Sequence, residues 1–252
     1  MTRRRVRAIV AVPALVVVGG LLFWAFAGLP DFGNYNGPYG YVINRIAVPQ
    51  RHTTNAVSAV VFDYRGFDTM GEEFILFAAV TGVVLLLRER KEDEEEAIEK
   101  VVDPVTSDGL RWLGILMVGA ALLIGLWLVS FGLVTPGGGF QGGVAVAGAI
   151  LLVYATYTFG TWRGITNEQV VDPIEGLGAG GYLVVGLAAL VSGLPFLHNL
   201  LGPGKSGTLM SGGSLSILNW ATALEVAAAN VLLFSEFLQQ YVVPIAHRGE
   251  RS

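Results

Sequence analysis

The chain has 252 residues, of which 53% are hydrophobic and only 14% charged, and its mean hydropathy is +0.59. Soluble domains carry roughly a quarter charged residues, so this composition excludes an ordinary water-soluble fold and points to an integral membrane protein. The absence of cysteine excludes disulfides, thiolate metal sites, iron–sulfur ligation and cysteine nucleophiles, and the net charge of −4 is unevenly placed.

The first apolar run, residues 8–29, follows Arg3, Arg4, Arg5 and Arg7. It is longer than the about 7–15 apolar residues of a signal peptide core, and Leu29-Pro30-Asp31 is a poor cleavage site. It reads as a retained transmembrane helix with a cytoplasmic N-terminus. Residues 30–55, with Gly33, Gly37, Pro38, Gly40 and Pro49, read as an exposed loop. Residues 55–62 are a short apolar stretch, followed by the polar 63–73.

Residues 74–87 are too few to cross about 30 Å of hydrocarbon at about 1.5 Å per residue, so this helix must begin near Asp68–Glu72. Asp68 is a plausible N-cap, with Glu72 and Glu73 in the first turns, where the helix dipole favours negative charge. Two readings stand side by side. The carboxylates cap a helix at the interface, or one of them is protonatable and lines a wet path.

Residues 88–105 are densely charged and read as a solvated linker. A helical hairpin follows, 110–134 and 144–162, around Thr135-Pro136-Gly137-Gly138-Gly139-Phe140-Gln141-Gly142-Gly143. Glycine costs roughly 1 kcal/mol and proline roughly 3 kcal/mol inside a helix, so this stretch breaks the helical ladder. It is either a tight turn or a close-contact site where missing side chains admit another backbone, an ion or water. Small residues from Gly143 to Gly148 suit close helix packing in lipid.

Residues 163–175 read as a polar loop, 176–194 as a further span, and 195–213 as a glycine-rich polar connection holding His198 and Lys205. The last span, about 214–243, carries Asn219, Glu225, Asn230 and Glu236, a composition suited to the protein interior. Glu225 near its middle is either a buried acid paired to a neighbouring helix or a proton-relay group.

The sum is an all-α integral membrane protein with about six transmembrane helices. With both termini cytoplasmic, the inner set is Arg3, Arg4, Arg5, Arg7, Arg88, Arg90, Lys91, Lys100, Arg111, Arg163, Arg248 and Arg251, against Arg45, Arg51, Arg65 and Lys205 outside. There is no P-loop, dinucleotide-binding glycine pattern or clustered metal-ligand spacing, and His52, His198 and His247 are scattered. No catalytic residue, metal or cofactor is expected. No lysine lies in any span, so the chain does not carry a complete ion relay of its own.

The sequence from Leu133 to Gly143 resembles the Pro-Gly-Gly-Gly-Phe-x-Gly-Gly signature of the B-type component of Mrp-type multisubunit Na+/H+ antiporters. Separately, Asp63-Tyr64-Arg65-Gly66-Phe67-Asp68-Thr69-Met70-Gly71-Glu72 resembles a motif shared by two other components, the C-terminal part of the Mrp A type and the E type of membrane-bound hydrogenases. The resemblance implies a fusion: an A-tail or hydrogenase-E module over 1–87, a charged cytoplasmic linker over 88–109, and a four-helix B-type module over 110–252. It implies an accessory subunit of a cation/proton antiporter in the cell membrane, with Na+ and H+ as the ions. Partners would be subunits of the A, C, D, E, F and G types and membrane lipid, with no nucleic acid.

The motif positions carried over are Asp63, Arg65, Gly66, Phe67, Asp68, Gly71 and Glu72, with Pro136, Gly137, Gly138, Gly139, Phe140, Gly142 and Gly143. Asp68, Glu72, Glu73 and Glu225 are the ion-path candidates. The family's last B-type span often has an acid where Asn219 stands; here Glu225 follows a turn and a half later. The rival classes are a membrane subunit of an ion-translocating hydrogenase or related redox complex, and a purely structural packing subunit.

Overall fold

The computed structural model describes residues 3–29, 33, 37–87 and 107–249. Most of the charged linker, and Arg251 of the inner charge set, lie outside the described residues. Two compact units are present, Met1–Val42 and Ile43–Ser252. The first holds α1 (Arg3–Ala27), whose apolar stretch Val12–Ala27 is exposed along its length.

Every described element of the second unit is helical. After α2 (Pro38–Arg51) come the short α3 (Ala56–Ala59), a π-helical turn (Val60–Tyr64), and α4 (Gly66–Leu87). Then follow α5 (Asp108–Ser130), α6 (Gly139–Thr156), α7 (Phe159–Ile165), α8 (Glu168–Val191) and α9 (Ser214–Gly249). Among the described residues, five helices are long and apolar enough to cross a membrane: α4, α5, α6, α8 and α9. With the shorter Val12–Ala27 the set matches the expected architecture of a multi-pass membrane protein.

α9 is the axis of the bundle. It packs against α4, α6 and α8, and α5 pairs with α6. Across its membrane-spanning stretch 61% of residues are buried, against 33% or less in the other spans. Its asparagines and glutamates therefore face protein rather than lipid.

Three expectations are corrected. Residues 38–51 are helix, not loop: Pro38 takes the first helical position, where its missing N–H costs nothing, and Ile43 and Ala47, one turn apart, pack on Ala59. Residues 163–175 are the end of α7 and the start of α8, where the Asn167 side chain accepts the Gln169 N–H as an N-cap. Polarity there marks a cap, not a coil. Third, α4 starts at Gly66, so Asp68 sits in its first turn and is not the N-cap.

Two apolar layers stabilise the bundle. One gathers Phe62, Leu133, Tyr182, Leu215 and Leu218. The other gathers Val80, Ala147, Val171, Ala228, Ala229, Val231 and Leu232. Along α4, α8 and α9 alike, the residues between these layers include a glutamate.

Candidate functional site

The glycine-rich segment is both a turn and a close-contact site. Gly137 and Gly138 have φ of 138° and 142°, the region that favours glycine. At Gly139 a Cβ would lie 2.4 Å from the Asn219 carbonyl, and at Gly143 one would lie 2.8 Å from the Ala223 carbonyl. On the other side, a Cβ at Gly142 would meet Val129 and the Gly125 carbonyl. So α6 is held between α9 and α5 by glycines on both faces, within one chain. Pro136 is exposed at the tip of the turn and Phe140 is half-buried.

A broken ladder in lipid needs partners for its backbone groups. Two asparagines supply them. Asn219 Nδ2 donates to the Val129 carbonyl at 2.8 Å, while its Oδ1 accepts the Gly139 N–H at 2.8 Å. Asn55 Nδ2 donates to the carbonyls of Gly132 (2.7 Å), Thr135 (3.0 Å) and Gly137 (3.4 Å). Ser58 Oγ adds a bond to Gly132 O at 2.6 Å, Thr54 Oγ1 one to Val134 O at 2.5 Å, and Thr53 one to Leu133 O. Asn55 also caps α3, its Oδ1 accepting the Val57 and Ser58 N–H groups. Sequence reasoning does not single out Asn55 and Ser58, although an asparagine ahead of an apolar run is an N-cap signal.

The first six residues of the 63–72 motif, Asp63 to Asp68, form one wall of a cavity of about 590 Å³. Asp63 pairs with Arg51 at 2.6 Å, and Asp68 with Arg65 at 2.5 Å. The Phe67 ring meets Phe196 edge-on at 6.4 Å between centroids. Gly66 is buried, and a Cβ there would touch Leu197 and the Tyr182 hydroxyl. That hydroxyl donates to the Gly66 carbonyl at 3.0 Å. The π-helical turn just before it is a distortion that frequently marks functional positions. Gly71 meets nothing within 4 Å on its Cβ side, and Glu72 is exposed.

Glu73 is fully buried, as is Glu225, and the two carboxyls adjoin each other and Thr222. None of their four oxygens, nor Thr222 Oγ1, meets hydrogen-bond geometry with a protein group. A third carboxyl, Glu175 on α8, is 4% exposed and is an electrostatic neighbour of Glu225. Gly178, one turn further along α8, lets that helix press onto α9 where Glu225 sits; a Cβ at 178 would be 2.5 Å from the Glu225 nitrogen.

The structure thus joins Glu73 to Glu225, leaves Glu72 and Asp68 at the surface, and adds Glu175, which sequence reasoning placed in a loop. Among the described residues no group of three or more His, Asp or Glu is placed to hold a metal ion. Adjoining carboxyls inside a helical bundle call for a counter-charge. A shared proton or a cation is the kind of group that could supply it.

Fold and site together define a class: a multi-pass helical membrane protein that encloses carboxyls between its own helices. Residues 109–245 match the family model described as a domain related to the MnhB subunit of Na+/H+ antiporter, and the chain belongs to that family. An uncharacterised protein of Methanocaldococcus jannaschii, MJ1307, is 28% identical over 206 residues, 74% of this chain and 78% of that protein. The A/B component of a probable K(+)/H(+) antiporter of Rhizobium meliloti is 27% identical over 165 residues, 57% of this chain but 16% of that protein.

Among solved structures, a chain of the membrane-bound sulfane sulfur reductase, an archaeal respiratory membrane complex, superposes with a TM-score of 0.68 at 28% identity. That match covers 92% of this chain and 98% of the other. A chain of the Mrp complex from Dietzia sp. DQ12-45-1b has the same fold, with a TM-score of 0.66 at 22% identity over 94% of this chain and 26% of its own.

Proposed function

We propose that this chain is an accessory membrane subunit of a multisubunit monovalent cation/proton antiporter, a transporter part rather than an enzyme, with Glu73, Glu225 and Glu175 on the ion path. One observation carries the reading: buried carboxyls from three helices sit between two apolar layers, and both oxygens of Glu73 and of Glu225, with Glu175 Oε1, meet no protein hydrogen-bond partner. Such groups are expensive at membrane depth and are retained chiefly for ion or proton handling. Membership of a family named for a Na+/H+ antiporter subunit supports it. The bounds of the family match, 109–245, support the B-type module over 110–252, and the A-tail or hydrogenase-E module over 1–87 is proposed from the resemblance of its 63–72 motif. Lipid and neighbouring subunits of the A, C, D, E, F and G types would cover the exposed apolar flanks.

The test is cation-dependent proton movement in everted vesicles carrying the complete complex, with Na+ and K+ compared. Glu73→Gln and Glu225→Gln are expected to lose most of the exchange while the complex still assembles. Glu72→Gln, at the surface, is expected to keep it. Parental exchange in both buried variants would make the chain a scaffold.

A second reading has its own support: the chain matches the respiratory-complex chain nearly end to end, but only a fraction of the antiporter chains. In that case deleting the gene would abolish respiratory electron flow in isolated membranes, not only cation exchange.

A further inference from the structure

We infer that the 590 Å³ cavity is the hydrated mouth leading to the buried carboxyls, and that Tyr182 is the positioning residue that closes its inner end. The inference rests on the reading that Glu73 and Glu225 carry the ion, and adds where the ion enters and what holds the entrance shut.

Gly66 is the buried residue among those of α4 that line the cavity, and its carbonyl is held by the Tyr182 hydroxyl. Tyr182 is fully buried, and one and two turns past Gly66 along α4 stand the buried Thr69 and Glu73. Glu225 adjoins Glu73, and Glu175 lies past that, one turn from Val171 and the second apolar layer. Cavity, tyrosine and acids therefore run in one order from one end of the bundle towards the other.

The walls of the mouth indicate a passage rather than a store. Each acid there has its own arginine, Asp63 with Arg51 and Asp68 with Arg65, so little surplus negative charge remains to trap a cation. Gly66 is closely packed there, since Leu197 Cδ1 and the Tyr182 hydroxyl both stand within 4 Å of where a Cβ would lie. Leu197 holds a φ of 61°, uncommon for a branched side chain, and this aims the loop at Gly66. Tyr182 packs its ring on Phe62, so replacing it with phenylalanine keeps the apolar contact and removes only the hydroxyl latch.

The chain contains no cysteine, so a single introduced one gives labelling that belongs to this chain. In right-side-out vesicles carrying the whole complex, where the Arg51–Arg65 side faces the medium, Leu197→Cys is expected to react with a charged, membrane-impermeant methanethiosulfonate reagent, and Val80→Cys is not. Tyr182→Phe is expected to assemble normally and to raise proton leak in the absence of exchangeable cation by about fivefold, the ratio for one lost hydrogen bond worth ~1 kcal/mol. An unreactive Leu197→Cys, or an unchanged leak in assembled Tyr182→Phe, overturns the inference. If Glu73→Gln abolishes exchange while either of these fails, only the entrance is misassigned; if Glu73→Gln exchanges ions normally, the underlying reading falls instead.

Discussion

Adding one methyl group to α6 should have opposite effects at two of its glycines. At Gly139 the new Cβ would lie 2.4 Å from the Asn219 carbonyl oxygen and 2.9 Å from Thr222 Cβ. Carbon–oxygen contacts relax at about 3.3 Å, so α6 and α9 must part by about 0.9 Å. Neither neighbour can yield cheaply, since the first is backbone and the second is β-branched on a buried helix. Overpacking of this kind costs ~1–3 kcal/mol. The shift also stretches the 2.8 Å bond from the Gly139 N–H to Asn219 Oδ1, a further loss of ~1 kcal/mol. At Gly148 a Cβ meets nothing within 4 Å, so alanine there should stabilise the helix by ~0.5–1 kcal/mol. The assay is the temperature at which half the purified complex loses its native elution volume. Gly139→Ala should fall well below the parent, and Gly148→Ala should match or exceed it. Equal midpoints for the two would refute the packing argument.

Two further outcomes are expected. Asn55→Ala removes the cap of α3 and the donor to three carbonyls of the glycine turn; a loss of ~2–4 kcal/mol, from a cap worth ~1 kcal/mol plus buried acceptors left unmade, should appear as poor recovery of assembled complex. Normal recovery would show that water serves those carbonyls. Glu175→Gln should lower exchange less than Glu225→Gln, because Glu175 stands beside the adjoining pair rather than within it; equal losses in vesicle assays would show that it bears the ion as fully as the pair does.

The spans were legible because apolar runs of membrane length leave little choice, and so was the interior position of the last helix. Asn219, Glu225, Asn230 and Glu236 cannot all face lipid without large cost. The break at Pro136–Gly143 was legible for the same reason that glycine and proline break helices anywhere. What covers that break was not. Asn55 and Asn219 lie about eighty residues away on either side, and periodicity carries no record of such pairings. The choice between Glu72 and Glu73 also needed coordinates: adjacent residues on a helix point about 100° apart, so only one reaches α9, and it is Glu73. Glu175 was hidden by its neighbours, since a polar helix start and a loop have the same composition.

The order in which the chain is made gives the Asn55 contacts a second meaning. Synthesis runs from the N-terminus at about 5–20 residues per second, so Asn55 reaches the bilayer several seconds before Gly132, Thr135 and Gly137, from which it is separated by 77 to 82 residues. The acceptors of the glycine turn thus enter a membrane where their donor has already been delivered. The Gly139 N–H has no such advance provision: Asn219 emerges 80 residues later. The hairpin of α5 and α6 is therefore half-completed at birth and finished only by the last helix, which makes α9 the element whose insertion commits the whole chain.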